Sequence, residues 1–156
     1  MMRKTHLIVL ASGVMASGLG LSAIRAQQRN TPPAVVVYKS ASCGCCSSWV
    51  EHLRANGFQV EAQNVDDARL LIVAKEAGVT DALSSCHTAK VGGYVVEGHV
   101  PAADILRMLK ERPSIAGLAA PGMPTGSPGM EQGGRKDPYD VIAFTKDGRR
   151  SVYARH

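Results

Sequence analysis

Three cysteines lie within four residues, Cys43-Gly44-Cys45-Cys46, at the junction between two different hydrophobic patterns. The preceding residues 34–38 form an uninterrupted apolar run rich in β-branched side chains, which predicts a buried strand. The following residues 47–56 carry apolar side chains at helical spacing, and Gly57 is a typical residue for ending a helix. A cysteine turn that begins a helix brings its sulfurs close to backbone N–H groups and to the positive end of the helix dipole. This stretch therefore predicts a site that uses ionised cysteines.

The patterns after the first helix predict the remaining elements of one α/β domain. These elements are a strand at 58–62, a helix capped by Asp66 or Asp67, a loop at 79–86, a hairpin around Gly92-Gly93, and a helix that begins at Pro101 and ends at Pro113. The resulting order, β-α-β-α-β-β-α, is that of a thioredoxin-like fold with the cysteine turn after the first strand. The helix between the first two strands predicts that these strands are parallel.

The C-terminal part of the chain has a different character. Residues 115–134 contain so many glycines and prolines that we predict an irregular loop rather than a helix or a strand. A loop of this length in a compact domain is either functional or disordered. Beyond it, strand patterns on both sides of Asp147-Gly148 predict a hairpin at 139–154. We therefore assign residues 34–156 to one domain that includes the loop 115–134 and the C-terminal hairpin.

The N-terminal residues 1–26 have the basic start, the apolar stretch and the small terminal residues of a secretory signal peptide, with cleavage expected after Ala26. Residues 27–33 are then a linker, and an uncleaved membrane anchor is the alternative. Removal of 1–26 takes away three of the 18 basic residues, so that 15 face 13 acidic residues and the formal net charge falls from +5 to +2. No basic stripe interleaved with aromatic residues remains, so nucleic acid is not an expected partner.

The cysteines allow more than one chemistry. Cys86 is the fourth cysteine of the chain, and an even number of cysteines in an exported protein usually indicates disulfides. Disulfides among three cysteines this close together, however, would close almost no loop. Cys43 and Cys46 have the C-x-x-C spacing of a redox pair, with Cys45 as a third thiol that would promote scrambling. A soft metal ion, in contrast, gains from every additional thiolate. Cu(I) prefers cysteine, methionine and histidine, and zinc also accepts four sulfurs.

The predicted topology adds further candidate ligands. In a thioredoxin-like domain, the loop that enters the third strand lies beside the cysteine turn and usually carries a cis-proline, but here it carries Cys86-His87. This replacement weakens the interpretation as a peptide-redox enzyme and adds a thiol and an imidazole. His99 lies at the same end of the sheet, as either a turn residue or a ligand. Met123 and Met130 either extend the ligand set, if the loop 115–134 folds over the site, or fill gaps in the packing.

Several separated motifs together resemble the CopG-type periplasmic copper-resistance proteins, a family long known only as a domain of unknown function. The motifs cover about residues 34–145 and are Cys43-Gly44-Cys45-Cys46 with Trp49 and His52, Ser85-Cys86-His87-Thr88, Glu97-Gly98-His99-Val100-Pro101, and the segments 117–124 and 126–131. The resemblance implies a thioredoxin-like domain that binds a small copper cluster at the cysteine turn. By motif, the principal ligands would be Cys43, Cys45, Cys46 and Cys86, and the supporting ligands His87, Met123, Met130 and His99.

We therefore predict a periplasmic protein that holds a Cu(I)–thiolate cluster and acts in copper resistance, by sequestering copper or by interconverting Cu(I) and Cu(II). Copper oxidation or reduction would be its enzymatic activity. The expected partners are copper ions, other periplasmic copper proteins and an electron donor or acceptor. Two alternatives stay open: a thiol–disulfide oxidoreductase that uses Cys43 and Cys46, with Cys45 or Cys86 as the resolving thiol, and a zinc-stabilised binding module without chemistry.

Overall fold

The computed structural model describes residues 32–156. The predicted signal peptide 1–26, the alternative of an uncleaved anchor and most of the predicted linker 27–33 lie outside the described residues. None of the helices within 32–156 has both the length and the apolar character needed to cross a bilayer. The elements are β1 (Val35–Lys39), α1 (Gly44–Ala55), β2 (Val60–Asn64), α2 (Asp67–Glu76), a short 3-10 helix (Asp81–Leu83), β3 (His87–Val91), β4 (Tyr94–Gly98), α3 (Ala102–Glu111), β5 (Gly117–Ala120), β6 (Asp140–Phe144) and β7 (Arg150–Arg155). The predicted α/β class and the order β-α-β-α-β-β-α are confirmed.

The strands of the described chain form one mixed sheet in the order β2-β1-β3-β4-β5-β6-β7. β1 and β2 are parallel, as predicted for strands that a helix connects, whereas β3 is antiparallel to β1 and to β4. The register pairs Lys39 with His87 and Thr88 with Glu97. The end of β1, the start of β3 and the end of β4 therefore meet at one end of the sheet.

Helix α1 is held against the sheet by a buried apolar face. Trp49, Val50 and Leu53 are at most 2 % exposed, and the Trp49 indole donates a hydrogen bond from Nε1 to the Val100 carbonyl oxygen at 2.9 Å. This bond satisfies the polar end of a side chain that is otherwise removed from water. It also fixes the first turn of α1, and with it the cysteines, in one position at the end of the sheet.

Two predicted helix boundaries are confirmed. Gly57 follows α1 with a positive φ of 86°, a conformation that glycine adopts without steric cost. Asp66 caps α2, since its side chain accepts a hydrogen bond from the Arg69 backbone N–H at 2.7 Å. The sequence signals therefore place the end of α1 and the start of α2 correctly.

The prediction that residues 115–134 are irregular throughout is wrong for their first part. Gly117–Ala120 form β5, a fully buried strand that is parallel to β4 and antiparallel to β6. A Cβ atom at Gly117 would lie 2.0 Å from the Val95 carbonyl oxygen, so the glycine permits a close approach of β5 to β4. β5 joins the predicted C-terminal hairpin, which β6 and β7 form, to the rest of the sheet. The remaining segment 121–134 has no helix or strand, as predicted.

We expect Gly117→Ala to destabilise the domain, because the added methyl group overlaps the Val95 carbonyl and separates β5 from β4. The loss should be at least about 1–3 kcal/mol, the usual cost of forced overpacking, and urea unfolding measures it. Gly44→Ala is the matched control, because nothing lies within 4 Å of a Cβ atom at Gly44. Equal unfolding midpoints for the two variants would contradict this account of β5.

Candidate metal centre

Three strand ends bring cysteines and histidines to one place. Cys43 follows β1 as the N-cap of α1, and its Sγ accepts a hydrogen bond from the Cys46 backbone N–H at 3.3 Å. Cys86 directly precedes β3, whose first residue is His87. His99 directly follows the last residue of β4. The convergence expected from the topology is therefore present.

The four cysteine sulfurs form a compact cluster in which all Sγ atoms lie within 4.8 Å of one another. The Sγ atoms of Cys43 and Cys45 are 3.5 Å apart, and Cys46 Sγ lies 3.5 Å from the Cys86 carbonyl oxygen. Cys86 is 40 residues away from Cys46 in the sequence, so tertiary folding creates this cluster. Clustered sulfurs at such distances suit a soft metal ion.

Cys43 and Cys46 are joined by a disulfide bond, whereas Cys45 and Cys86 are free thiols. This arrangement differs from the four thiolates of the leading prediction, and it joins the two cysteines that the alternative prediction treats as a redox pair. The physical reason is the spacing at the start of α1, which brings the two Cα atoms to 5.4 Å, within the range that a disulfide spans. The bond closes a very short loop and contributes little to stability through chain entropy. It must be reduced before Cys43 and Cys46 can serve as thiolate ligands.

A second group of possible ligands shares Cys86 with the first. Cys86 Sγ lies 3.3 Å from His87 Nδ1 and 3.1 Å from His99 Nε2. The candidate ligand atoms of these three residues all lie within 4.8 Å of one another. Both imidazoles are fully buried, and the His87 ring packs against the Trp49 indole with 4.4 Å between ring centroids. The anchoring residue of α1 therefore also positions a histidine of the site.

The loop 121–134 covers one side of this centre. Pro128 places its carbonyl oxygen 2.8 Å from His99 Nδ1, and because a carbonyl can only accept, Nδ1 carries the proton and Nε2 presents its lone pair towards Cys86. The next residue, Gly129, has a φ of 85°. A Cβ atom there would lie 2.7 Å from the Cys45 carbonyl oxygen and 2.7 Å from the Trp49 backbone nitrogen. The glycine therefore lets the loop lie directly on the first turn of α1.

Burial keeps the donor atoms of Cys86, His87 and His99 uncharged. It lowers the pKa of His87 to about 3, with a smaller contribution from the neighbouring His99, and it also lowers the pKa of His99. Burial raises the pKa of the Cys86 thiol to about 12, and the nearby Cys45 adds to this effect. At neutral pH the imidazoles are therefore neutral and able to bind a metal, whereas a metal that binds Cys86 must displace its proton.

Comparison with solved structures gives two matches with a TM-score of 0.74 each, titled "Copper resistance protein copG" in Form 1 and in Form 2. They are 48% and 49% identical to this chain, and each alignment covers 80% of this chain and 98% of the solved chain. The chain belongs to the CopG family. A family model described as "Protein of unknown function, DUF411" matches residues 83–130, the part of this chain that contains Cys86 and both site histidines. No curated protein matches the chain.

The CopG assignment confirms the resemblance that the sequence motifs indicated, and the family's copper-resistance name together with the cysteine cluster fits copper binding. The structure brings together six of the predicted ligand residues: Cys43, Cys45, Cys46, Cys86, His87 and His99. Met130 is half-buried and directly follows Gly129, whereas the Met123 side chain is 55% exposed. The ligand roles of both methionines stay predictions.

His52, another residue of the CopG-like motif, has a structural position. Its Nε2 accepts a hydrogen bond from the Ala102 backbone N–H at 3.1 Å. Burial lowers the pKa of His52, which keeps this nitrogen available as an acceptor. His52 therefore connects α1 to the start of α3 and satisfies one of the free N–H groups there.

Glu97 was not predicted as a residue that shapes the site of this CopG-family chain. Its side chain is 1 % exposed, and its two carboxylate oxygens accept hydrogen bonds from the Ser85 N–H at 2.8 Å and from Thr88 Oγ1 at 2.7 Å. These donors flank Cys86-His87, so Glu97 holds the backbone on both sides of the two ligands. The available signal was a glutamate directly after Val95-Val96 in a strand pattern, where burial of a carboxylate requires specific partners.

Burial raises the pKa of Glu97 from 4.5 to about 7, which gives a testable pH dependence. A raised carboxyl pKa means that the folded state holds a proton that the unfolded state releases, so the stabilisation is fully present below pH 4.5 and is lost as the pH rises through 7. A pKa shift of this size corresponds to about 3 kcal/mol of unfolding free energy. From pH 4 to pH 8, the unfolding free energy of metal-free Glu97→Gln should therefore increase relative to wild type by about 3 kcal/mol.

Urea unfolding of both proteins across this pH range measures the difference, and comparison at each pH removes the contributions of other titrating groups. The pH-independent part of the difference in unfolding free energy reports the altered hydrogen bonds of the amide. A difference without any pH-dependent part would show that the pKa of the Glu97 carboxyl is not raised.

Proposed function

We propose that this protein is a periplasmic copper-binding protein that holds a Cu(I)–thiolate cluster on Cys43, Cys45, Cys46 and Cys86 and acts in copper resistance. The observation that carries this proposal is the convergence of four sulfurs within 4.8 Å of one another from two separate parts of the chain. Thiolates are the ligands that Cu(I) prefers, and a sulfur can bridge two such ions. The copper-resistance titles of the solved relatives support copper as the ion.

The two imidazoles support a role in changing the oxidation state of copper as well as in storing it. Sulfur ligands favour Cu(I), whereas imidazole also suits Cu(II), and both kinds of donor meet at Cys86. Copper resistance would then arise from sequestration or from Cu(I)/Cu(II) interconversion, with an electron donor or acceptor or another periplasmic copper protein as partner. Periplasmic location follows from the predicted signal peptide, and the domain would be thioredoxin-like. Met130 and Met123 would complete the ligand set.

We expect the reduced protein to bind more than one Cu(I) per chain in an anaerobic titration, because four thiolates in one cluster can bridge several ions. Cys45→Ser should lower this number, since it removes a central sulfur without altering the Cys43–Cys46 pair. Ser48→Ala is the matched control, because it removes an exposed hydroxyl from the same turn but no sulfur. A single weakly held ion that Cys45→Ser leaves unchanged would exclude the cluster.

A second function, thiol–disulfide exchange, is favoured by the Cys43–Cys46 disulfide. Cys43 is partly exposed and caps α1, whereas Cys46 is fully buried, so Cys43 is the sulfur that a thiolate from solution can attack. One turnover would transfer two electrons and two protons from a dithiol to the disulfide. The dithiol would become a disulfide, and Cys43 and Cys46 would become thiols.

If this second function holds, the protein oxidises a model dithiol in the presence of a copper chelator, and Cys43→Ser removes the activity. The protein thiols that form and the dithiol that is consumed are measured together. One Cys43–Cys46 disulfide should be reduced for each dithiol that is oxidised. Activity that requires copper, or that persists in Cys43→Ser, would rule out dithiol exchange at this pair.

A further inference from the structure

The metal centre contains two ligand groups that overlap at a single residue. We propose that the group formed by Cys86, His87 and His99 binds one copper ion while Cys43 and Cys46 are joined in the disulfide. The reduced and the disulfide forms of the protein would then hold different numbers of copper ions. This inference rests on the proposed function and adds to it a dependence of copper capacity on the state of one cysteine pair.

The disulfide affects the two groups unequally. It removes two of the four sulfurs, Cys43 and Cys46, from the all-cysteine group. The group of Cys86, His87 and His99 contains neither of these residues, so its three donors remain available. Cys45 also remains a free thiol beside Cys86. The structure thus has a complete three-donor set in a state in which the four-sulfur cluster cannot form.

The distances within this set suit one ion. Metal–sulfur bonds of about 2.3 Å and metal–nitrogen bonds of about 2.0 Å at a tetrahedral angle place the two donors about 3.5 Å apart. Cys86 Sγ lies 3.3 Å from His87 Nδ1 and 3.1 Å from His99 Nε2. Shifts of a few tenths of an ångström therefore bring the three donors to bonding positions. One sulfur and two imidazole nitrogens form a donor set that accepts copper in either oxidation state.

The surroundings hold His99 in the form that binds metal. Its Nδ1–H donates to the Pro128 carbonyl oxygen at 2.8 Å, which directs the Nε2 lone pair towards Cys86. A hydrogen bond of this kind to the second ring nitrogen is typical of metal-binding histidines, because it fixes both the tautomer and the orientation of the ring. Pro128 is held in place by the contact of Gly129 with the first turn of α1.

Packing holds His87 beside the other two donors. Its side chain is fully buried, and Nδ1 is the ring nitrogen that lies beside Cys86 Sγ. The ring centroid of His87 lies 4.4 Å from that of Trp49 and 5.0 Å from that of His99. Two buried imidazoles and a thiol thus share one site at the end of the sheet.

The test uses the metal-free disulfide form, whose Cys43–Cys46 bond is verified by alkylation and mass spectrometry. Anaerobic competition against a chromophoric Cu(I) chelator should give one Cu(I) per chain. His99→Asn should weaken this binding at least tenfold, while its side-chain amide still donates to Pro128 and preserves the loop contact. His156→Ala is the control, since that imidazole contacts Asp104 and Tyr139. Its affinity should equal that of wild type.

A variant with both Cys43→Ser and Cys46→Ser separates the two ligand groups without any redox treatment. It should bind one Cu(I) per chain, and a dithiol reductant should not change that number. If the disulfide form and this variant bind no Cu(I) while reduced wild type binds several, the inference fails and the proposed function stands. Unchanged affinity in His99→Asn also overturns it, because the ion would lie elsewhere. If reduced wild type binds no Cu(I) either, the proposed function fails as well.

Discussion

The antiparallel register between β1 and β3 determines where the chemistry of this protein takes place. It pairs Lys39 with His87, so the turn that leaves β1 and the residue that enters β3 must lie side by side. Cys43, Cys45 and Cys46 occupy that turn, and Cys86 directly precedes His87. A shift of one residue in this register would turn the side chains of β3 to the opposite face of the sheet. The Trp49 indole reinforces the arrangement, because it anchors α1 to the Val100 carbonyl and packs on His87.

Burial then determines the state of the donors that the register brings together. The imidazoles of His87 and His99 are neutral, and Cys86 keeps its proton until a metal displaces it. Glu97 fixes the backbone of this buried region by accepting hydrogen bonds from residues on both sides of Cys86-His87. The centre is therefore prepared for a metal ion and avoids an array of uncompensated buried charges.

Much of the fold and of the donor set could be predicted because it depends on local signals and a simple topology. Gly57 and Asp66 mark helix ends by their own chemistry. The meeting of Cys86-His87 with the cysteine turn follows from the strand order. β5 could not be predicted, because a glycine such as Gly117 indicates the end of a strand in a sequence. Its role in the strand is visible only when the close contact of its backbone with the Val95 carbonyl is known. The role of Gly129 and the partners of Glu97 likewise depend on residues distant in sequence, and the disulfide depends on local geometry that the C-x-x-C spacing permits but does not require.

X-ray absorption at the copper edge on reduced, Cu(I)-loaded protein tests the central claim of a thiolate cluster most directly. The account predicts scattering dominated by sulfur, a short copper–copper vector, and an edge typical of Cu(I). Scattering dominated by nitrogen or oxygen around isolated ions, without a copper–copper vector, would contradict it.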